Sequence, residues 1–109
     1  MKKTFIAGDI VLVPFPFSDL SKNKVRPALV LAYDKEDVTV LFITSLKPKG
    51  SFFVEVQSDK VNNLKVCSYV RYTKFASLDI KIVLGKIGAV SKKDFSIVGE
   101  KIANYLHIL

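Results

Sequence analysis

Two unbroken apolar runs, Ile10–Phe15 and Pro27–Ala32, limit what this chain can fold into more than any other feature. Each is short, rich in Val, Ile and Leu, and bounded by turn residues, the pattern of strands covered on both faces. Between them lies a polar loop, Ser18–Val25, that leads into Arg26. Pro27 biases Arg26 towards an extended backbone. The chain thus delivers one guanidinium to the entrance of a strand behind a basic loop, a good place to hold a phosphate. An ordinary surface arginine after a hairpin loop is the alternative.

Further strands are expected over Asp37–Ser45, which is rich in β-branched residues and ends in Thr44 and Ser45, and over Phe52–Val56. The LKPKGS loop separates them. Val66–Tyr72 alternates, with Val66, Ser68, Val70 and Tyr72 on one face and Cys67, Tyr69 and Arg71 on the other. Ile80–Val90 reads as one more strand, with Gly85 and Gly88 marking a bulge or a close backbone approach. Ser91 and Asp94 then resemble a capping box, and Phe95, Val98, Ile102 and Tyr105 or Leu106 recur at helical spacing. Five or six strands and one helix predict a mainly β fold: a small barrel of mostly antiparallel strands with a C-terminal helix.

At 109 residues the whole chain, 1–109, is expected to be one domain. No apolar stretch approaches a membrane span, and the three apolar residues after Lys2 and Lys3 are too few for an export signal. One cysteine excludes an internal disulfide and fits a reducing cytoplasm, while one cysteine and one histidine, His107, cannot build a zinc cluster. No metal or other cofactor is expected. The net charge of +7 is segregated: Lys22, Lys24 and Arg26, then Lys47 and Lys49, then Lys60, Lys65, Arg71 and Lys74 fall in windows without acids. Such a basic face suits a polyanion, nucleic acid above all, with an idle lysine-rich surface as the alternative.

In order along the chain, GDIVLVPFPF, KVRPALVL, FITS, SYVRYTKF, LGKIGAV and the final helix resemble the MazF/PemK-like toxins of bacterial toxin–antitoxin systems. The resemblance covers nearly the whole chain. It implies an SH3-like, MazF-type barrel, a homodimer, and sequence-selective cleavage of single-stranded RNA. It also makes Arg26 and Thr44, the arginine of the RP motif and the threonine of the TS motif, the catalytic pair. Some members carry an aspartate in the later strand where VRYTKF stands here, so an acidic base is not supplied at that place; Asp19 is an alternative.

The residues can serve that chemistry. RNA brings its own nucleophile, the 2′-hydroxyl, so the protein need only orient it, stabilise charge on the phosphoryl oxygens and move protons. Arg26 supplies a guanidinium fork, and Thr44 and Ser45 supply hydroxyl donors. Unstacked bases need aromatic surfaces. Phe15, Phe17, Tyr69 and Tyr72 are candidates, core packing being the other fate open to each. Lys22, Lys24, Lys47, Lys49 and Lys74 are expected to touch phosphates.

Two other functions compete: a gyrase-directed toxin of the related CcdB kind that cuts nothing, and a non-catalytic nucleic-acid-binding module. Neither requires Arg26 together with Thr44 and Ser45. The resemblance further implies an acidic antitoxin that folds across the basic groove, and binding of operator DNA together with it.

Overall fold

The computed structural model describes residues 4–15 and 24–108. Six strands, β1 (Asp9–Phe15), β2 (Lys24–Tyr33), β3 (Asp37–Thr44), β4 (Val54–Val56), β5 (Ser68–Asp79) and β6 (Gly85–Ala89), form one sheet in the order β4-β5-β3-β2-β1-β6. Every neighbouring pair in it is antiparallel. The chain closes with helix α1 (Lys92–Tyr105). Among the described residues no helix is long and apolar enough to cross a membrane.

The unbroken apolar runs follow from two cores, one on each face of the curled sheet. Ile10, Leu29, Leu41 and Ile43 face the core that α1 covers with Phe95, Val98 and Ile102. Val11, Val13, Ala28, Val30 and Val40 face a second core, closed by Phe5 and Val83. Consecutive residues of β1 and β2 therefore have no wet side to alternate towards.

The later strands depart from the sequence expectation. β5 runs on to Asp79 instead of stopping near Tyr72. It does so by bulging: the two-residue step from Leu41 to Ile43 on β3 is matched by a five-residue step from Phe75 to Val70, which leaves three extra residues on β5. The expected strand Ile80–Val90 is interrupted too. Asp79 accepts a hydrogen bond from Lys81 N (2.8 Å) and caps a 3-10 turn over Ile80–Ile82, so β6 begins only at Gly85. A β-branched, apolar composition concealed that corner, because the turn depends on one side-chain cap.

Helix α1 starts where expected, with Ser91 Oγ accepting from Asp94 N at 3.0 Å. Ser91→Ala should cost about 1 kcal/mol in urea denaturation, the usual loss for an N-cap. The apolar stripe ends earlier than its spacing suggested: Tyr105 and Leu106 are exposed.

The connection from β4 to β5 is fixed by its own side chains. Asn62 is buried; its Oδ1 accepts from Asp59 N and Leu64 N, and its Nδ2 donates to Gln57 O. Asp59 Oδ1 in turn accepts from Val61 N and Asn62 N. The loop then lies against β6, where Ala89 N donates to Val61 O and Asn63 Nδ2 to Ile87 O. Gly88 permits that approach, since a Cβ there would stand 2.4 Å from Val61 O and 2.5 Å from Asn62 O.

Candidate active site

Strand register decides which side chains meet. Ala28 pairs with Phe42, so two residues further along each strand Arg26 comes opposite Thr44. Thr44 pairs with Tyr69, and Tyr69 with Glu55. On the other side Arg26 pairs with Val13. A row thus crosses five strands on one face: Val13, Arg26, Thr44, Tyr69, Glu55. Directly opposed side chains in such a row begin about 5 Å apart at Cβ. Val13 is buried and ends the row; Arg26, Thr44 and Tyr69 are half-buried, and Glu55 is exposed.

Thr44 Oγ1 accepts a hydrogen bond from Leu46 N at 3.1 Å. That contact holds the hydroxyl in place and leaves its proton to be donated. Ser45, next along, has the opposite strand parity and is exposed. With Arg26 it lines a cleft of about 780 Å³, whose far wall includes Asn63, Lys65 and Val66. Among the described residues Thr44 is not on that wall. The arginine therefore stands at a junction, sharing a sheet face with Thr44 and a cavity with Ser45.

The two tyrosines of the later strand part company. Tyr72 is 7% exposed and its ring packs against Phe52 and Tyr105, with centroids 6.0 and 6.3 Å away. The expectation of Tyr72 as a stacking surface for a base is therefore corrected: it is a core residue. Tyr69 is the half-exposed one, set edge-on to Phe53 at 5.4 Å. Burial, reinforced by Cys67 and Glu55 nearby, pushes the Tyr69 hydroxyl above its ordinary pKa. It therefore stays protonated at neutral pH, a donor and not a base.

Lys47, Lys49 and Lys74 are all exposed. Phe17, Asp19 and Lys22 lie outside the described residues, as do the side chains of Phe15 and Lys24. Sequence reasoning did not single out Glu55 or Asn63 for the site, and counted Lys65 only as charge. Alternation carried a signal for one of them: Glu55 is the polar residue between Val54 and Val56. The loop residues carried none. Among the described residues no three His, Cys, Asp or Glu side chains gather where they could hold a metal ion.

This architecture, a curled antiparallel sheet closed by one C-terminal helix, is that of small toxins of known structure. The toxin MazF-mt6 of Mycobacterium tuberculosis superposes with a TM-score of 0.72 at 23% identity, over 91% of this chain and 96% of that one. MazF from Deinococcus radiodurans gives 0.71 at 24%, over 93% and 94%. A mycobacterial endoribonuclease in complex with its cognate antitoxin gives 0.77 at 13%, over 97% and 98%. No curated protein sequence matches the chain. The family model of the PemK-like, MazF-like toxins of type II toxin–antitoxin systems matches residues 6–106, and the chain belongs to that family.

Proposed function

We propose that this toxin is a sequence-selective, metal-independent endoribonuclease acting on single-stranded RNA in the cytoplasm. What carries the reading is the β2–β3 register, which, continued two positions past the Ala28–Phe42 pair, brings Arg26 opposite Thr44. A scissile phosphate set over that pair receives the guanidinium fork from one side and the threonine hydroxyl from the other. The 2′-oxygen attacks phosphorus and the bond to the 5′-oxygen breaks. The products are a 2′,3′-cyclic phosphate and a 5′-hydroxyl. One proton leaves the 2′-hydroxyl and one reaches the departing 5′-oxygen.

Arg26 acts as transition-state stabiliser, since a group with a pKa above about 12 is a poor acid near neutrality. Ser45 adds a second hydroxyl from the cleft side. Tyr69, beyond Thr44, offers an aromatic surface to a neighbouring base. Glu55 ends the row and is its only carboxylate, but it stands two strands from Thr44 and three from Arg26, too far to take the 2′-proton directly; that proton passes to solvent. Glu55→Gln should therefore change the cleavage rate by less than about tenfold, well short of the 100-fold or more that loss of a general base costs, with Tm unchanged because the residue is exposed.

The test of function is incubation with a long single-stranded RNA, and with its DNA copy, in EDTA. Discrete RNA fragments with 5′-hydroxyl ends and intact DNA are expected. Intact RNA would leave the gyrase-directed and non-catalytic readings standing, and cleavage that needs a divalent ion would overturn the chemistry. The chain also acts as a homodimer in this reading, inhibited by an acidic antitoxin that covers Arg26 and binds operator DNA with it. Structures of relatives with antitoxin bound, such as MazE–MazF of Deinococcus radiodurans, support that partner.

A further inference from the structure

One buried charge takes no part in the site around Arg26. Asp9, the first residue of β1, is 2% exposed. Its Oδ2 accepts from Ile6 N at 3.0 Å, which ties the preceding turn to the strand. Its Oδ1 has no hydrogen-bond partner; among the described residues the charge that answers it is the Lys86 ammonium, 3.0 Å away. Lys86 stands on β6 opposite Val11, and its side chain is 49% exposed. We propose that Lys86 is an acylation site, and that an acyl group placed on its Nζ by an acyl phosphate switches the stability of this toxin.

Geometry and charge favour this lysine. Acylation needs a free amine, and Asp9 Oδ1 lies within reach of the Nζ protons, where a base must be. Among the described lysines no other is held against a carboxylate. A chain of net charge +7 also draws an anionic reagent. In the step itself one Nζ proton passes to Asp9, and the amine lone pair attacks the acyl carbon. The C–N bond forms and the carbon–oxygen bond to phosphate breaks. Its electron pair leaves with inorganic phosphate, which takes the second Nζ proton.

The product is a neutral amide. Asp9 is then left buried without a cation, as a protonated acid or as an unpaired carboxylate, and breaking a buried pair in this way is strongly destabilising. The loss is not confined to one turn. Gly8 N donates to Val30 O and Val90 N donates to Gly8 O, so the turn before Asp9 fastens β2 to the end of β6. β6 in turn seats the Asn62 loop, with Ala89 N donating to Val61 O and Ile87 O accepting from Asn63 Nδ2. The same acyl group on Lys92 or Lys101, both exposed, removes a charge from solvent alone and costs little.

Wild-type, Lys86→Arg and Asp9→Asn proteins are incubated with acetyl phosphate at neutral pH. Acetylation of each lysine is followed by peptide mass spectrometry, and melting by calorimetry. In the wild type Lys86 should react at least about tenfold faster than Lys92 or Lys101, a modest share of what a positioned base supplies. Tm should fall by more than about 10 °C as Lys86 is filled, the result of orphaning a buried charge in a chain of this size. Lys86→Arg keeps the cation and offers no amine, so its Tm should hold under the same treatment. In Asp9→Asn the rate advantage of Lys86 should vanish. Lys86 reacting no faster than the helix lysines, or an advantage that survives in Asp9→Asn, overturns the proposal. So does a wild-type Tm that stays put once Lys86 is filled, or one that falls equally in Lys86→Arg. If Asp9→Asn does not fold, the comparison of wild type with Lys86→Arg still decides. None of these measurements depends on RNA cleavage.

Discussion

Arg26→Ala should lower kcat/KM for cleavage of a short single-stranded RNA by about 1,000-fold, the loss seen when a preorganised charge stabiliser is removed from a phosphoryl or acyl transfer site. That is about 4 kcal/mol of transition-state stabilisation. Arg26 is half-buried at the open end of β2, outside the two apolar cores, so the variant should keep its Tm. Arg26→Lys should recover only a small part of the rate, because an ammonium keeps the charge but cannot present two parallel N–H groups. Thr44→Val separates the partner's role: its β-branched shape is kept while the donated proton is lost. Initial rates on one oligonucleotide, with thermal melts of each protein, decide the matter. Full activity in Arg26→Ala would end the proposed chemistry.

The second large effect concerns folding. Gly88→Val should lower stability by about 3 kcal/mol, the upper end for overpacking. A fall in Tm of more than about 10 °C should accompany it in a chain of this size. The added Cβ would meet backbone oxygens of Val61 and Asn62 at 2.4 and 2.5 Å, and no side chain can swing aside to relieve that. The loop must lift off β6, which forfeits the Ala89–Val61 and Asn63–Ile87 hydrogen bonds. Gly99, with nothing near its missing side chain, is the control: Gly99→Ala on the exposed face of α1 should stabilise instead. Calorimetry on the two variants reads both effects.

What the amino-acid order disclosed, and what it withheld, has a physical basis. The opening strands were legible because burial on two faces writes itself as an unbroken apolar run, and Ile10, Val11 and Val13 are all inaccessible. The helix start was legible because a cap is a local contact, here Ser91 with Asp94. Arg26 and Thr44 stood out by motif and by their places at strand ends. Their pairing did not, since register between strands is set by the whole sheet and by bulges such as those in β2–β3 and β3–β5. Alternation separated Tyr69 from Tyr72 but could not say which face was wet; that depended on where Phe52 and Tyr105 packed. The Asn62 loop was hidden for a similar reason. Its asparagine was legible as a turn residue, while its seat against Gly88 joins segments more than twenty residues apart.

The three unmatched residues in β5 have an odd-number consequence. Ser68 and Val70 sit on the side that α1 covers, whereas Ala76 and Leu78, also even-numbered, sit on the other. Losing or gaining a single amino acid between positions 71 and 74 would turn one half of this strand inside out, while a change of two would preserve the phase. Length variation among relatives at this corner should therefore come in pairs.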